Sequence, residues 1–253
     1  MTQGDLSGKS ILITGASSGI GRACAIACSA GGARLTLLGR DQERLLETLS
    51  SCQKPDDHTT KSVELSESDK IEQVVKEAAE RSGGFDGVIH AAGISQTKSL
   101  TSMKQSEIEL FLNVNVLASF LLIKSATSRQ NFRSSGGSVV VISSVMANVG
   151  AKGKSLYSLT KGALTSTTRS LAVELAPRAI RVNTVSPGVV ETPMSDQASY
   201  SLDPKWRQAV EKLHPLGIGK AEDVANTCVF LVSDLARWIT GADIVVDGGY
   251  SAQ

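Results

Sequence analysis

The sequence predicts a doubly wound α/β fold, one parallel sheet with helices on both faces. Three observations carry that prediction. Short apolar runs alternate with helix-length segments along the 253 residues. The runs are continuously apolar, as strands covered on both faces must be. A glycine-rich turn joins the first run to the first helical segment. No repeat, linker or low-complexity stretch divides the pattern, so one domain over residues 1–253 is expected. About seven strands with right-handed crossovers would build it.

Ser10-Ile11-Leu12-Ile13 reads as the first strand. Thr14-Gly15-Ala16-Ser17-Ser18-Gly19-Ile20-Gly21 follows, then an alanine-rich helix from Arg22 to Ala30. Glycines there allow a tight bend and bring backbone N–H groups close to a pyrophosphate, which the positive helix end favours. The spacing is Gly-x-x-x-Gly-x-Gly, not the commoner Gly-x-Gly-x-x-Gly. Leu35 to Leu38 is the second strand, with a helix through Arg44 to Leu49, and Lys54 to His58 is a polar loop. The third strand is expected near Ser62-Val63-Glu64-Leu65. A helix opened by Ser66 or Ser68 follows it, with Ile71, Val74, Val75 and Ala78 on one face. Asp86 to His90 is the fourth strand, and a long helix then runs through Ile108 to Ile123. Ser138 to Ile142 is the fifth strand, and the helix of Tyr157 and Lys161 reaches about Leu175. Ile180 to Val185, a helix from Ala221 to Val232, and Ile244 to Val246 complete the sheet.

Tyr157 and Lys161, with Ser144 thirteen residues before the tyrosine, are the chemical signal. Spacing by four stacks two side chains on one helix face, about one turn apart. An ammonium beside a phenol favours the phenolate and pulls its pKa down from about 10. Such a tyrosine exchanges a proton with a carbonyl or alcohol oxygen, and a serine from a neighbouring strand end holds the same oxygen. With a hydride source alongside, this is equipment for carbonyl–alcohol interconversion. Strand alternation points Ser143 and Ser144 to opposite faces, so only one of them can serve. Ser143 and Ser158 are read as structural neighbours.

Composition narrows the class. Apolar content of 41% and charged content of 20% are those of a globular chain. A net charge of +1 supplies no basic stripe for nucleic acid. No apolar run approaches the roughly 18 residues of a membrane span, and the N-terminus lacks a signal-peptide layout, so a cytoplasmic address is expected. Cys24, Cys28, Cys52 and Cys228 are scattered, and His58, His90 and His214 are far apart in sequence. Cys24 and Cys28, one turn apart, read as packing residues in preference to a redox or metal pair. No metal is expected.

These motifs resemble those of the short-chain dehydrogenase/reductase family over nearly the whole length. The resemblance rests on the Thr14–Gly21 turn, Asn115, the Ser144/Tyr157/Lys161 set, Arg181-Val182-Asn183 with Ser186-Pro187-Gly188, and the tail Ile239-Thr240-Gly241 with Val246-Asp247-Gly248-Gly249. It implies a single-domain doubly wound (Rossmann) fold, a nicotinamide cofactor, a homotetramer and a catalytic set of Asn115, Ser144, Tyr157 and Lys161. Asn115 is preferred to Asn113 because Phe120, five positions later, keeps the family's local pattern. The choice of Ser144 over Ser143 rests on the same resemblance. The tail looks most like the branch holding 3-oxoacyl-carrier-protein reductases. Carried over by the same resemblance, the cofactor contacts are Gly15, Ser17, Ser18, Ile20, Gly21, Arg40, Glu64, Leu65, Ala91, Gly93, Tyr157, Lys161, Pro187, Gly188, Val190 and Thr192. Asn183 is assigned a structural role. One departure stands out. The family's Asn-Asn-Ala-Gly is here His90-Ala91-Ala92-Gly93, with His90 read as a core or supporting residue.

The end of the second strand bears on the cofactor. Gly39 occupies the place of an acidic residue that would repel a 2′-phosphate, and Arg40 follows with a fork suited to phosphate. Asp41 is assigned to capping the next helix. NADP(H) is therefore expected over NAD(H), the alternative. Residues 194–215, with Tyr200, Trp206, Leu213 and Pro215, are expected to form a substrate lid. Its apolar content suits an acyl-type substrate, and its aromatics equally suit a sugar. Two function classes stand: an oxidoreductase on a ketone or secondary alcohol, and a non-catalytic cofactor-binding sensor or scaffold. The intact catalytic set favours the first.

Overall fold

A computed structural model of the protein describes residues 4–197 and 203–253. The chain enters the sheet at β1 (Ser10–Thr14), buried along its whole length, and turns into α1 (Gly19–Ala30). Next come β2 (Arg34–Gly39), α2 (Gln42–Ser51), β3 (Thr59–Ser62), α3 (Ser68–Ser82) and β4 (Gly87–His90). A helix then begins as α4 (Gln105–Phe111), opens into a π-turn over Leu112–Leu117, and continues as α5 (Ala118–Ala126). β5 (Gly137–Ile142), the long α6 (Ser155–Leu175) and β6 (Ile180–Pro187) follow. Short β7 (Val190–Glu191), α7 (Pro193–Asp196), α8 (Pro204–Lys212) and β8 (Gly219–Lys220) precede α9 (Ala221–Val232) and β9 (Asp243–Val246).

The seven-stranded sheet has the order β3-β2-β1-β4-β5-β6-β9, and every pairing is parallel. Strand alternation divides the core into two layers. Ile11 and Ile13 of β1 join Leu35, Leu37, Ile89, Val140 and Val185 under α1 and α9. Leu12 faces the other way, with Val88, Val139, Val141 and Val182, under α3, α5 and α6. The four cysteines are free and buried in the first layer, where Cys24 and Cys28 of α1 meet Cys228 of α9. They are packing residues of this helix layer. Strand order reverses between β1 and β4, the place where such sheets open a crevice at their carboxyl ends.

Three expectations need correction. The third strand is Thr59–Ser62 and ends where Ser62–Leu65 was expected to begin. It is an edge strand pairing only with β2, so its residues stay largely exposed, and the apolar Val63 and Leu65 are buried just beyond it. His58 is not part of a polar loop. It is buried after a short 3₁₀ turn, where Nδ1 accepts from the Leu35 N–H (3.2 Å) and Nε2 donates to the Gln53 carbonyl (2.8 Å). The 22-residue helix Gln105–Ala126 is, by length and composition, apolar enough to cross a membrane, which the sequence reading missed. Ala118, Leu122, Ile123 and Ala126 of this helix pack into the core, while Leu110, Leu112, Leu117 and Phe120 face outwards.

Candidate active site

The first half of the crevice is the turn between β1 and α1. Gly15 is left-handed (φ +67°), and a Cβ there would lie 2.8 Å from the Ala92 nitrogen. A Cβ on Gly21 would lie 2.2 Å from the Gly15 carbonyl oxygen. Side chains at either place would force the turn off the sheet, so only glycine lets α1 start this close to the strand ends. The result is a bare backbone cradle at a helix N-terminus, which fits a pyrophosphate. Ser17, Ser18 and Ile20 are half-buried around it. A Cβ on Gly19 would lie 3.1 Å from Thr192 Cγ2, so the β7–α7 turn closes over the cradle from the opposite side. Thr192 also caps α7, its hydroxyl accepting from the Ser195 N–H (3.3 Å).

The end of β2 borders the same cradle. A Cβ on Gly39 would lie 3.3 Å from Ser17 Oγ, so the two face each other. Arg40 is exposed beside them, and Asp41 caps α2 by accepting from the Arg44 N–H (3.1 Å). Glu64 is half-buried and accepts from the Ser66 N–H, whereas Leu65 is buried. Ala91 and Gly93 are half-buried on the loop after β4. Pro187 ends β6, the Gly188 N–H donates to Val246 O (3.0 Å), and Val190 is buried.

The second half of the crevice brings the expected catalytic residues together. The π-turn opens the helix at Asn115, which is buried. Its Oδ1 accepts from the Ile94 N–H (2.8 Å), and Nδ2 donates to Ile94 O (3.0 Å) and Thr160 Oγ1 (3.1 Å). Asn115 thus ties the loop after β4 to α6. A Cβ on Gly93 would lie 3.2 Å from Asn115 Oδ1 and 3.6 Å from Lys161 Nζ, which marks how tightly the three converge. Lys161 is buried, and Nζ donates to the Ile142 carbonyl at the end of β5 (2.8 Å). Burial pulls its pKa down to about 8. Nζ lies 5.6 Å from the Tyr157 ring centroid.

Ser144 leaves β5 in extended backbone, and its Oγ accepts from the Met146 N–H (3.2 Å). Ser143 turns to the other face and hydrogen-bonds Lys161 O (3.1 Å) and Thr165 Oγ1 (2.9 Å), as alternation requires. Asn183 is structural, bracing Ile239 O and the Ala242 N–H. His214 supports the β6–β7 turn, accepting from the Val189 N–H, and stacks on Tyr250 at 4.9 Å.

Two features go beyond the sequence reading: the partners of His90, which was expected as a core or supporting residue, and the position of Lys154. His90 is buried between Thr14 Oγ1 (2.8 Å from Nδ1) and Ser119 Oγ (2.6 Å from Nε2), and burial, helped by Lys161, pulls its pKa down to about 3. Ser119 lies four residues after Asn115, a helical spacing that could have linked the two. Lys154, three residues before Tyr157, places a second ammonium 5.5 Å from the Tyr157 ring centroid. Of the expected lid, α7 and α8 are described, with Met194, Trp206 and Leu213 exposed, and Tyr200 lies outside the described residues.

Known proteins share this sequence pattern and fold. The family described as Enoyl-(Acyl carrier protein) reductase matches residues 15–251. A 3-oxoacyl-acyl-carrier-protein reductase of Aquifex aeolicus is 36% identical over 248 residues, covering 96% of this chain and 98% of that protein. An L-rhamnose 1-dehydrogenase (NAD(P)(+)) of Azotobacter vinelandii is 32% identical over 249 residues, covering 95% and 96%. Among solved structures, carveol dehydrogenase from Mycobacterium avium in complex with NAD superposes with a TM-score of 0.92 at 26% identity, covering 99% of this chain and all 100% of that one.

Proposed function

The chain belongs to the short-chain dehydrogenase/reductase family, and from that premise we propose that it interconverts a ketone and a secondary alcohol with NADP(H), favouring 3-oxoacyl compounds. It is an NAD(P)-dependent oxidoreductase that acts on a small molecule. The observation carrying the mechanistic reading is the convergence of Gly93, Asn115 and Lys161 beside Tyr157, where the strand order reverses.

The cradle of Gly15, Ser17, Ser18, Ile20 and Gly21 would hold the cofactor pyrophosphate. Arg40 would hold a 2′-phosphate, with Glu64, Leu65, Ala91 and Gly93 around the adenosine and ribose. Pro187, Gly188, Val190 and Thr192 would border the nicotinamide, which when bound supplies or accepts a hydride. Tyr157 gives its hydroxyl proton to the substrate oxygen. Ser144 Oγ already accepts from Met146, which leaves its own hydrogen to donate to the same oxygen. The Lys161 ammonium stabilises the phenolate left behind and reaches the ribose hydroxyls. Asn115 keeps one carbonyl lone pair for a water that links the lysine to solvent.

The preference for NADP(H) is supported by Gly39, which brings no negative charge, by the adjacent exposed Arg40, and by Asp41 being engaged as a cap. Residues 194–215 act as the lid over the substrate. We further infer a homotetramer in the cytoplasm. It is supported by the outward apolar side chains Leu110, Leu112, Leu117 and Phe120, with Leu159 and Val173 of α6. A sugar alcohol is the second reading, favoured by the relative that is an L-rhamnose dehydrogenase. The deciding experiment follows NADPH and NADH oxidation with 3-oxoacyl compounds, alongside NADP⁺ and NAD⁺ reduction with sugars. Turnover of sugars alone, with NAD⁺, would transfer the assignment to the second reading.

A further inference from the structure

Lys154 is a cation at the catalytic phenol with no anionic partner among the described residues. Its Nζ stands 5.5 Å from the Tyr157 ring centroid, as close as Lys161 at 5.6 Å. The side chain is half-buried, and its hydrogen bonds go to neutral atoms, Ser95 Oγ and Gln96 O, both at 3.3 Å. None of the ion pairs among the described residues includes it. Lys98, on the same loop as those two partners, is by contrast neutralised by Glu107 at 2.6 Å. Burial lowers the Lys154 pKa, and no carboxylate acts in the opposite direction.

The surroundings repeat the pattern. A cavity of about 620 Å³ runs along the same stretch of chain, lined by Met146, Asn148, Lys152, Gly153, Ser155 and Ser158 among others, and no acidic residue is part of that lining. Its lining residues are chain neighbours of the site: Gly153 and Ser155 flank Lys154, Ser158 follows Tyr157, and the Met146 N–H is held by Ser144 Oγ. A partly desolvated ammonium whose only partners are neutral has lost hydration without regaining a coulombic partner. An anion arriving with the substrate restores that balance and forms a charge-assisted hydrogen bond.

We propose that Lys154 binds an oxyanion carried by the substrate a few bonds from its reacting carbon, so that the enzyme prefers 3-oxo acids to their neutral esters. The inference rests on the ketone–alcohol reading of the site and narrows it. A thioester or ester presents only a neutral oxygen to the same ammonium. Lys154 would therefore set specificity, with Tyr157, Ser144 and Lys161 doing the same chemistry on either substrate.

The test compares acetoacetate with methyl acetoacetate, using NADPH, in wild type, Lys154→Met and Lys154→Arg. 2-Oxopropylphosphonate serves as a second arm to separate carboxylate from phosphate-like recognition. Wild type should show the higher kcat/KM for the acid. Lys154→Met should cut the acid-to-ester ratio about 10- to 100-fold, mostly through KM, the range expected for one charge-assisted hydrogen bond. Lys154→Arg should recover much of the ratio. The ester shares Tyr157, so any effect of the lost charge on the phenol cancels in the ratio. A larger ratio for the phosphonate would assign the site to phosphate-like substrates. An unchanged ratio in Lys154→Met, or a wild-type preference for the ester, would overturn the proposal. Calorimetry of acetoacetate and 2-oxopropylphosphonate binding to the NADP⁺-saturated protein gives a reading without turnover. Binding lost in Lys154→Met, with no substrate reduced, would uphold the anion site and reject the reductase reading. Equal binding of both anions to wild type and Lys154→Met would reject the anion site.

Discussion

His90 Nε2 lies 2.6 Å from Ser119 Oγ, and this contact fixes the direction of a buried chain of hydrogen bonds. Ser119 has one hydroxyl hydrogen, which goes to the Asn115 carbonyl (2.7 Å). Its oxygen must therefore accept, so Nε2 carries the imidazole proton. Nδ1 is then the lone-pair atom and accepts from the Thr14 hydroxyl, whose oxygen in turn accepts from the Ala92 N–H (3.3 Å). Every member is satisfied only if the ring is neutral, in agreement with a pKa near 3. The chain joins the loop after β4 to the carbonyl at the π-turn. It occupies the place where the family usually carries an asparagine.

Replacing His90 by leucine should cost stability without touching the reacting groups. The Thr14 and Ser119 hydroxyls each lose a buried partner, at about 1–3 kcal/mol apiece. The native pKa lies below the usual 6.5, so this residue's contribution is complete above about 6.5 and declines as pH falls towards about 3. Wild type should therefore lose more stability than His90→Leu across that window. Urea melts of both proteins from pH 7 to pH 4 measure it, and parallel curves would contradict the neutral, buried imidazole.

Tyr157→Phe removes only the proton donor. Fold and cofactor affinity should stay close to wild type, while turnover drops about 100- to 10,000-fold. Circular dichroism, cofactor titration and steady-state rates on an established substrate check the three parts. Activity within a fewfold of wild type would sink the assignment of Tyr157.

Lys161 gives a stability prediction with a definite sign. Its native pKa is about 8 against the usual 10.5, so the unfolded chain binds the extra proton between those values. Stability from this group therefore rises as pH increases from about 8 to about 10.5, and below 8 the buried charge is a constant burden. At 1.36 kcal/mol per pH unit the full effect is about 3 kcal/mol, reduced in a Lys161→Met variant by the lost bond to Ile142. Lys161→Met should be inactive yet melt a few degrees above wild type at pH 7, with the gap narrowing by pH 10. Thermal melts across that range test it. A gap that widens with pH would be the wrong sign.

Arg40→Ala should weaken NADPH and leave NADH nearly unaffected. Loss of one guanidinium–phosphate contact is worth about 1.5–3 kcal/mol, or about 10- to 100-fold in affinity. Fluorescence titration with both dinucleotides checks it. A wild-type preference for NADH, or equal NADPH affinity in the variant, would show that Arg40 does not read the phosphate.

How much of this was legible from sequence depends on how local the cause is. β1 and β5 are apolar on both faces, so runs such as Ile11–Ile13 and Val139–Ile142 declare themselves. β3 could not, because an edge strand needs little apolar content, and Val63 and Leu65 drew the expectation past its true end. Tyr157, Lys161 and Asn115 were legible by spacing and resemblance, and the structure brings them to one crevice. His90 was recognisable as a core residue, but its partners are 76 and 29 residues away in sequence, beyond any local pattern. Lys154 was passed over because its significance is the lack of a carboxylate partner among the described residues, which no sequence pattern displays.

The thiols packed between α1 and α9 have a practical consequence. Cys24, Cys28 and Cys228 are wholly buried; burial holds the Cys28 thiol well above its ordinary pKa, and the hydrogen bond with Cys24, then burial, does the same for Cys228, leaving both protonated and inert. An alkylating reagent reaches them only when this helix layer lifts from the sheet. The rate at which label accumulates on them is therefore a clock for opening events in the unmodified enzyme, without introduced probes. Because the cradle begins at α1, a dinucleotide that binds the closed form should slow that clock in proportion to its own occupancy.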